Sequence, residues 1–355
     1  MDVWRIESSR EALIIPSAMT GQTIQLDHGS PRGCSQELLA ELIAPALGAA
    51  DGGAGEASLL ELDGALIAMS SDAFVLDPLF FGNGDIGRLA VCATVNDLAV
   101  NGAVPRYLTL SLVIEQGLAV ADLERVLDSV RVAALEAEVE VVAGDTRVVP
   151  SGAADRLFIN ATGVGELERD LDLGVAHVRP GDAVIVTGAL GEHGLHVLAL
   201  REGLDCAGRV LSDCAPLSGL IWNLLEDYGS EIHCMRTLVR GGLGVTLNEL
   251  ADHAGVSIEV EEHHLPVARE TRAAAERLAV DPLYLPSAGS ICVLVERAAA
   301  AEVLELLRWQ PQGQAAQILG IVRERRGSAV TVLRPDGGGE SVLAPRSGAP
   351  LPRLC

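Results

Sequence analysis

The chain has 355 residues and a formal net charge of −23 at pH 7, and all 26 of its Lys-plus-Arg side chains are arginine. A protein without lysine has neither the P-loop lysine that binds nucleotide phosphates nor the amine nucleophile of a Schiff-base enzyme. The acidic balance argues against a nucleic-acid partner, because phosphate backbones are bound by clustered Lys and Arg. Hydrophobic residues make up 49% of the chain, and its length predicts two domains, each with its own core.

The sequence predicts a cytoplasmic protein that does not enter a membrane. Residues 1–10 lack the basic region and apolar run of a signal peptide, and no stretch reaches the roughly 18 apolar residues of a membrane span. Seven cysteines are an odd number for a disulfide framework, and they form no CxxC pair, which argues against a zinc ribbon.

In the first half, residues 1–57 show little periodicity beyond a predicted helix at 36–47. Asp63-Gly64 separates two apolar runs and predicts a hairpin with strands at 58–62 and 66–70. The pattern then predicts a helix at 86–100, a strand at 107–114, an amphipathic helix at 121–138, and short buried strands at 139–143 and 157–164.

A polar stretch over residues 166–180 predicts a domain boundary. Beyond it the pattern predicts helices at 193–202, 217–228, 242–254 and 268–278, and strands at 183–187, 257–260, 291–295 and 318–322. The similar alternation in the two halves suggests an old duplication and an α/β fold. The Gly- and Pro-rich residues after 334 predict a flexible tail that ends at Cys355.

Three aspartates are candidates for metal ligands. Asp72 and Asp145 follow predicted strands, where ligands bind in α/β proteins, and Asp97 lies beside Asn96 in an apolar helix. Mg²⁺ takes carboxylate and phosphate oxygens, and the helix start at residues 82–85 is able to receive an anion. The combination indicates a Mg-nucleotide site without a P-loop. The alternative is that the aspartates are turn residues and that Asn96-Asp97 is an exposed helix patch.

The histidines are weaker candidates. His193 and His196 share one helical face and His263 and His264 are adjacent, but further ligands at zinc-type spacing are missing. His28, next to a glycine in a predicted loop, either closes over a ligand or is an ordinary exposed residue. A Ser-His-Asp hydrolase is excluded for want of a G-x-S-x-G motif.

Cys355 is the most distinctive candidate. A thiol at the end of a Pro-restricted arm can carry a covalent group to a separate site, and the nearby Arg353 favours the thiolate. The alternative is a terminal cysteine without a function.

Several motifs in a fixed order carry a resemblance to a known family: residues 71–81, 84–92, 96–108, 144–149, 191–194, 212–214 and 352–355. They resemble the HypE family of hydrogenase maturation proteins, within the ATP-binding superfamily of aminoimidazole ribonucleotide synthetase and selenophosphate synthetase. The match extends from Gln25 to Cys355. It implies a two-domain, PurM-like α/β (α+β) architecture whose N-terminal mixed sheet pairs in a homodimer.

The implied organisation has four parts. An N-terminal segment with a nucleotide-covering loop (1–57) precedes an ATP-binding and dimerisation domain (58–170), a second α/β domain (171–334) and a flexible tail (335–355). A carbamoyltransferase would load Cys355, and the carbamoyl oxygen would attack the γ-phosphate of ATP. Loss of phosphate would leave a thiocyanate, whose cyano group would pass to an iron-carrying scaffold complex.

The resemblance also implies site residues and two cofactors, ATP and Mg²⁺. Cys355 and Arg147 would be catalytic. Asp72, Asp97 and Asp145 would bind the metal. The residues implied to bind ATP or its phosphates are His28, Gly29, Ser30, Asn96, Asp97, Gly144, Thr146 and Arg240.

The chain departs from the family pattern at the implied site. Pro31 and Arg32 replace two loop glycines, and Arg147 and Ser290 replace lysines. Thr237 and Ala288 stand where the family has carboxylates. Two alternatives follow: a HypE-like carrier that no longer dehydrates, or an ATP-dependent enzyme of the same superfamily that acts on another carboxamide or thioamide.

Overall fold

The computed structural model describes residues 23–25, 38–43, 46, 56–168, 171, 173–204, 208–335, 340–344 and 354. The predicted site residues His28, Gly29, Ser30 and Cys355, and the departures at positions 31 and 32, lie outside these residues. The chain divides into two units, Met1–Ala54 with Arg346–Pro352 and Gly55–Pro345 with Arg353–Cys355. In the first unit the described regular element is a π-helical turn, Leu39–Ile43, inside the predicted helix at 36–47.

The first half of the second unit is built on a mixed sheet. Its strands are β1 (Ser58–Leu62), β2 (Ala65–Phe74), β3 (Phe80–Phe81), β4 (Gly84–Asp85), β5 (Val104–Glu115), β6 (Glu140–Val149) and β7 (Leu157–Glu166), and its helices are α1 (Ile86–Ala99) and α2 (Val120–Glu136). Five strands pair in the order β1-β2-β7-β5-β6, and β3 pairs with β4. Only β5 and β6 are parallel within the five-stranded sheet.

The second half forms a larger sheet in the order β14-β13-β10-β12-β8-β11-β9. In chain order its elements are β8 (Ala183–Val186), α3 (Glu192–Arg201), α4 (Ser218–Tyr228), β9 (Ile232–Leu238), α5 (Gly242–Ala254), β10 (Val256–Glu261), α6 (Arg269–Leu278), β11 (Ser287–Val295), α7 (Ala300–Trp309), β12 (Gln317–Glu324), β13 (Val330–Leu333) and β14 (Glu340–Val342). None of the described helices combines the length and apolarity that crossing a membrane requires.

Local sequence signals explain the elements that position the site. Asp63 and Gly64 adopt φ values of 50° and 86°, as the predicted Asp-Gly turn between β1 and β2 requires. Asp85 caps α1 because its carboxylate accepts hydrogen bonds from the backbone N–H groups of Gly87 and Arg88. α1 is buried along almost its whole length, so its polar residues need partners inside the protein.

Two expectations from the sequence were wrong, and some elements, among them β9, α7 and β13, were not predicted. The strand predicted at 139–143 as short and buried is β6, which has ten residues, lies at the sheet edge and is almost wholly exposed. As a result Asp145 lies within a strand, as Asp72 does, rather than after one. The strand β9 was not predicted, because His233 and Arg236 interrupt its apolar pattern.

Part of the described stretch of the predicted flexible tail is packed. β14 pairs with β13, and Leu343 and Leu354 are buried. Apolar side chains in a Gly- and Pro-rich segment dock when a neighbouring surface offers them burial, which composition alone does not reveal.

Candidate functional site

Asn96 and Asp97 lie on the buried helix α1, where they are 2% and 9% exposed. The alternative of an exposed helix patch is therefore wrong. The Asn96 side-chain amide donates to the carbonyl of Ala215 (3.1 Å), and its Oδ1 accepts a hydrogen bond from the N–H of Leu217 (2.7 Å). Asn96 thus joins the first half of the unit to the second.

The buried Asp97 carboxylate is the centre of an acidic cluster, which we define as Asp97 with the partly buried Glu56 and Asp72. The hydroxyl of Thr237 donates to Asp97 Oδ1 (3.1 Å). Burial raises the pKa of Asp97 well above its usual value, and the charges of Glu56 and Asp72 raise it further. The pKa of Glu56 is also raised, because its desolvation outweighs the opposing effect of Arg236 and of other neighbours.

Two arginines flank the acidic cluster. Arg236 Nη1 lies 3.5 Å from Glu56 Oε1, and Arg240 Nη2 lies 3.5 Å from Asp72 Oδ1. Arg236 is nearly buried, whereas the Arg240 side chain is 80% exposed and so extends from the cluster toward solvent. An exposed guanidinium beside buried carboxylates suits the binding of a phosphate together with its cation.

The acidic cluster fits a hard cation, because its carboxylates repel one another without one. Mg²⁺ usually keeps several waters and takes one or two protein carboxylates with substrate phosphates. The loose spacing of the cluster suits this mode. The acidic cluster is not the tightest such group in the described part of the chain. On the surface, Glu261, His263 and His264 bring their ligand atoms within 4.8 Å of one another.

The strand register separates Asp145 from the acidic cluster. Asp72 on β2 pairs with Ala161 on β7, Ala161 with Leu110 on β5, and Leu110 with Gly144 on β6. Partners across a sheet share a face and consecutive residues alternate, so Asp145 points to the opposite face from Asp72. Its predicted metal role is not supported by proximity within one chain and stays a prediction.

Arg147 lies on the same exposed face as Asp145. Its Nη2 is 3.2 Å from Asp145 Oδ2, and both side chains are more than half exposed. The backbone N–H of Thr146 also donates to Asp145 Oδ1 (2.9 Å). The predicted phosphate-binding roles of Gly144 and Thr146 and the catalytic role of Arg147 therefore remain predictions.

A second polar group surrounds His193, near the start of α3. Its Nδ1 lies 2.8 Å from Ser212 Oγ and its Nε2 lies 2.8 Å from the carbonyl oxygen of Leu354. Burial lowers the pKa of His193 to about 4, so the ring is neutral at pH 7. Leu354, the residue before Cys355, thus contacts a buried histidine that the sequence pattern did not connect with it.

Two carboxyl groups lie beside the position where the family has a glutamate. Asp213 accepts hydrogen bonds from the N–H groups of Ala288 and Gly289 (both 3.1 Å). Burial nevertheless raises the pKa of Asp213 to about 6, and burial together with Asp213 raises the pKa of Glu192 to about 7. A Cβ atom on Gly289 would lie 1.8 Å from the Asp213 carbonyl oxygen, so this approach requires glycine.

The structure reveals site residues that sequence reasoning missed. Glu56 sits in a Gly- and Ala-rich segment without periodicity, so no local signal separates it from a surface glutamate. His193 and Asp213 lie in two of the motifs that carry the family resemblance, residues 191–194 and 212–214. For His193, membership of that motif was the signal that could have pointed to a role. Their partners, Leu354 and Ala288, are distant in sequence.

Comparison with known families identifies both halves of the described fold. Residues 54–167 match the N-terminal domain of the AIR synthase related proteins, and residues 179–333 match their C-terminal domain. These matches confirm the predicted two-part, PurM-like α/β fold. They do not test the predicted boundaries at 57/58, 170/171 and 334/335.

Similar proteins cover nearly the whole chain. "Carbamoyl dehydratase HypE" of Azotobacter vinelandii is 40% identical over 334 residues, which are 94% of this chain and 97% of that protein. A crystal structure of a HypE–HypF complex has a TM-score of 0.80 at 38% identity, covering 86% of this chain and 98% of that one. HypE in complex with ATP has a TM-score of 0.79 at 39% identity, covering 94% and 100%.

Proposed function

Because the chain belongs to the HypE family of hydrogenase maturation proteins, we propose that it carries out an ATP-dependent dehydration. Its substrate is a carbamoyl group on the Cys355 thiol, and its product is a thiocyanate. The observation that carries this proposal is the acidic cluster with Arg240 beside it, in the same unit as the docked residue Leu354. A related protein binds ATP, and related proteins are named carbamoyl dehydratases.

The chemistry requires an activated oxygen. The carbamoyl oxygen attacks the γ-phosphorus of ATP and displaces ADP, which makes the oxygen a phosphate leaving group. The C–O bond then breaks, phosphate departs with the oxygen, the amide nitrogen loses both protons and a C≡N bond forms. One phosphate bond of ATP is consumed for each carbamoyl group converted.

Different side chains of the site contribute to different parts of the reaction. One or two carboxylates of the acidic cluster (Glu56, Asp72 and Asp97) would hold Mg²⁺, which when bound would offset the negative charge of the phosphates. Arg240 contributes a fixed positive charge to the transferring phosphoryl group. Asp213 and Glu192 have pKa values of about 6 and about 7, which suit groups that accept protons near neutral pH. Asn96 holds the two halves of the unit together around them.

The partners follow from the reaction. A carbamoyltransferase is needed to load Cys355, in line with the complex that a related HypE forms with HypF. The product carries an electrophilic cyano group that a metal acceptor must take over, and we assign this role to an iron-carrying scaffold complex.

The proposal predicts two mass changes at the C-terminus. After incubation with a carbamoyltransferase, carbamoyl phosphate and Mg-ATP, tandem mass spectrometry of the C-terminal peptide should show a carbamoyl group on Cys355 and then loss of one water. The Cys355→Ala variant is expected to show neither change. A modified C-terminal peptide in Cys355→Ala would overturn the assignment of the thiol.

One observation favours the alternative of a carrier that no longer dehydrates. Thr237 occupies a position where the family has a carboxylate, and its hydroxyl is bonded to Asp97. Carbamoylation of Cys355 without subsequent ATP-dependent loss of water would support the carrier and contradict the dehydratase.

We also infer that the chain forms a homodimer through one face of the five-stranded sheet. Met69, Val164 and Tyr107 pair across β2, β7 and β5, so their side chains lie side by side on the same face. Met69 and Tyr107 are exposed, and so are Leu60 and Leu62 of β1 on this face. An apolar sheet face of this kind is suited to burial against a second copy, as the family resemblance implies.

The Met69→Asp substitution is expected to weaken the dimer at least about tenfold, because a two-fold interface brings two copies of the new charge together. Size-exclusion chromatography with light scattering across a range of concentrations measures the effect. Leu127→Asp is the control, because Leu127 on α2 is equally exposed but lies outside this face. A Met69→Asp protein as dimeric as the parent would exclude this interface.

A further inference from the structure

Leu354, the residue before the C-terminal cysteine, has a built docking site. Its side chain is 2% exposed and belongs to the hydrophobic cluster that contains Leu76 and Phe81. Leu354 and Leu76 form an isolated antiparallel bridge. The Leu354 carbonyl, which belongs to the peptide bond with Cys355, lies 2.8 Å from His193 Nε2. Apolar and polar contacts therefore converge on one tail residue.

The hydrogen bonds around His193 have a definite direction. The Leu354 carbonyl can only accept a hydrogen bond, so Nε2 must donate to it, and the Ser212 hydroxyl, which also accepts from the N–H of Cys214 (3.1 Å), donates to Nδ1. With Nδ1 accepting, the neutral imidazole carries its proton on Nε2 and donates it to Leu354. Ser212 thereby stabilises the tautomer that the Leu354 carbonyl requires.

The docking site is linked to the nucleotide side of the unit by residues 212–215, which we call the 212–215 loop. The Asn83 amide donates to the Ser212 carbonyl (2.7 Å), and Arg88 Nε donates to the Cys214 carbonyl (3.2 Å). At the other end of the loop, the Asn96 amide donates to the Ala215 carbonyl (3.1 Å). One short loop thus contacts both the histidine that binds the tail and the asparagine next to Asp97.

We propose that His193, oriented by Ser212, is a positioning residue that docks the C-terminal tail through the Leu354 carbonyl and so delivers Cys355 to the reaction site. This inference rests on the proposed function, because it concerns how the loaded thiol is presented. It assigns the tail a docked state, defined by the contacts of Leu354 with His193 and Leu76. The tail leaves that state when the carbamoyltransferase loads the thiol.

Two variants of equal polarity and different reach test the proposal. The amide of His193→Gln extends about as far as Nε2 and retains a donor to Leu354, whereas the amide of His193→Asn extends only about as far as Nδ1. The measurement is the rate at which iodoacetamide alkylates Cys355, followed in the C-terminal peptide by mass spectrometry without ATP or partner. We expect His193→Asn to be alkylated about five- to tenfold faster than the parent, and His193→Gln to stay within about twofold.

His196→Gln is the matched control, because His196 lies one turn along α3, is equally buried and has no hydrogen-bond partner among the described residues. In His196→Gln, Cys355 should be alkylated at the parental rate. Leu354→Ala shortens the apolar side chain that the tail inserts into this cluster, and faster alkylation is again expected. An unchanged rate in Leu354→Ala, or equal rates in His193→Asn and His193→Gln, would overturn the proposal. Neither outcome depends on whether dehydration occurs.

Discussion

Asp97→Asn is expected to lower the rate of ATP-dependent dehydration at least about 100-fold while stabilising the ligand-free protein at neutral pH. The loss of activity follows because the amide removes a negative charge from the group that would hold Mg²⁺ and its phosphates. The gain in stability follows because Asp97 is desolvated and repelled by Glu56 and Asp72. An asparagine Oδ1 can still accept the hydrogen bond from Thr237.

The stability effect should depend on pH with a known sign. The pKa of Asp97 is raised in the folded protein, whereas in the unfolded chain it is about 3.9. Between these two values the folded state binds more protons than the unfolded state. The stability of the parent protein therefore falls as the pH rises through this window, and the penalty is complete above the folded pKa. The amide that Asp97→Asn introduces does not titrate, so the variant lacks this decline.

Thermal unfolding at pH 5 and pH 8, with and without Mg-ATP, measures both effects. The melting temperature of Asp97→Asn should exceed that of the parent more at pH 8 than at pH 5, and Mg-ATP should raise it less. Glu305→Gln, which neutralises an exposed carboxylate on α7 away from the sheet, is the control and should behave like the parent. An Asp97→Asn protein that dehydrates at the parental rate would remove Asp97 from the site.

Thr237→Asp is expected to destabilise the ligand-free protein by about 2–4 kcal/mol, because it adds a buried charge that the site must accommodate. The two side chains are almost the same size, so the change is mainly electrostatic. The new carboxylate would lie next to Asp97 and Glu56, both of which contact Thr237 now. Mg²⁺ should reverse most of the loss, since a cation offsets the added charge.

Urea unfolding with and without Mg²⁺ distinguishes this effect from loss of the Thr237 hydroxyl. Thr237→Val removes the hydroxyl alone and should cost about 1 kcal/mol with no added response to Mg²⁺. A Thr237→Asp protein as stable as the parent without Mg²⁺ would mean that position 237 does not face the acidic cluster. If Thr237→Asp also dehydrates faster than the parent, then the missing family carboxylate limits the natural protein.

Elements formed by residues close in sequence were predictable. The hairpin around Asp63-Gly64 is present because an Asp-Gly turn and two flanking apolar runs are local signals. The helices predicted at 86–100 and 242–254 are also present, since each has an apolar pattern and a terminus signal in the sequence itself. The resemblance to the HypE family is confirmed for the same reason, because motifs are read along the chain.

Contacts between distant residues were not predictable in the same way. Asp72 and Asp145 look equivalent along the chain, since each follows an apolar run. Strand register places them on opposite faces of one sheet, because a single residue of offset reverses the direction of a side chain. Glu56 joins Asp97 only because both lie against β9, where Arg236 pairs with Glu56 and Thr237 bonds to Asp97.

The sequence by itself determined the absence of lysine, the family, the α/β class and the candidacy of Asp72 and Asp97. Tertiary structure decided that Glu56 completes the acidic cluster and that Leu354 docks on His193. The physical reason is that composition and periodicity act over a few residues. The charge state of a buried carboxyl and the partner of a buried histidine depend instead on which distant groups share its desolvated surroundings.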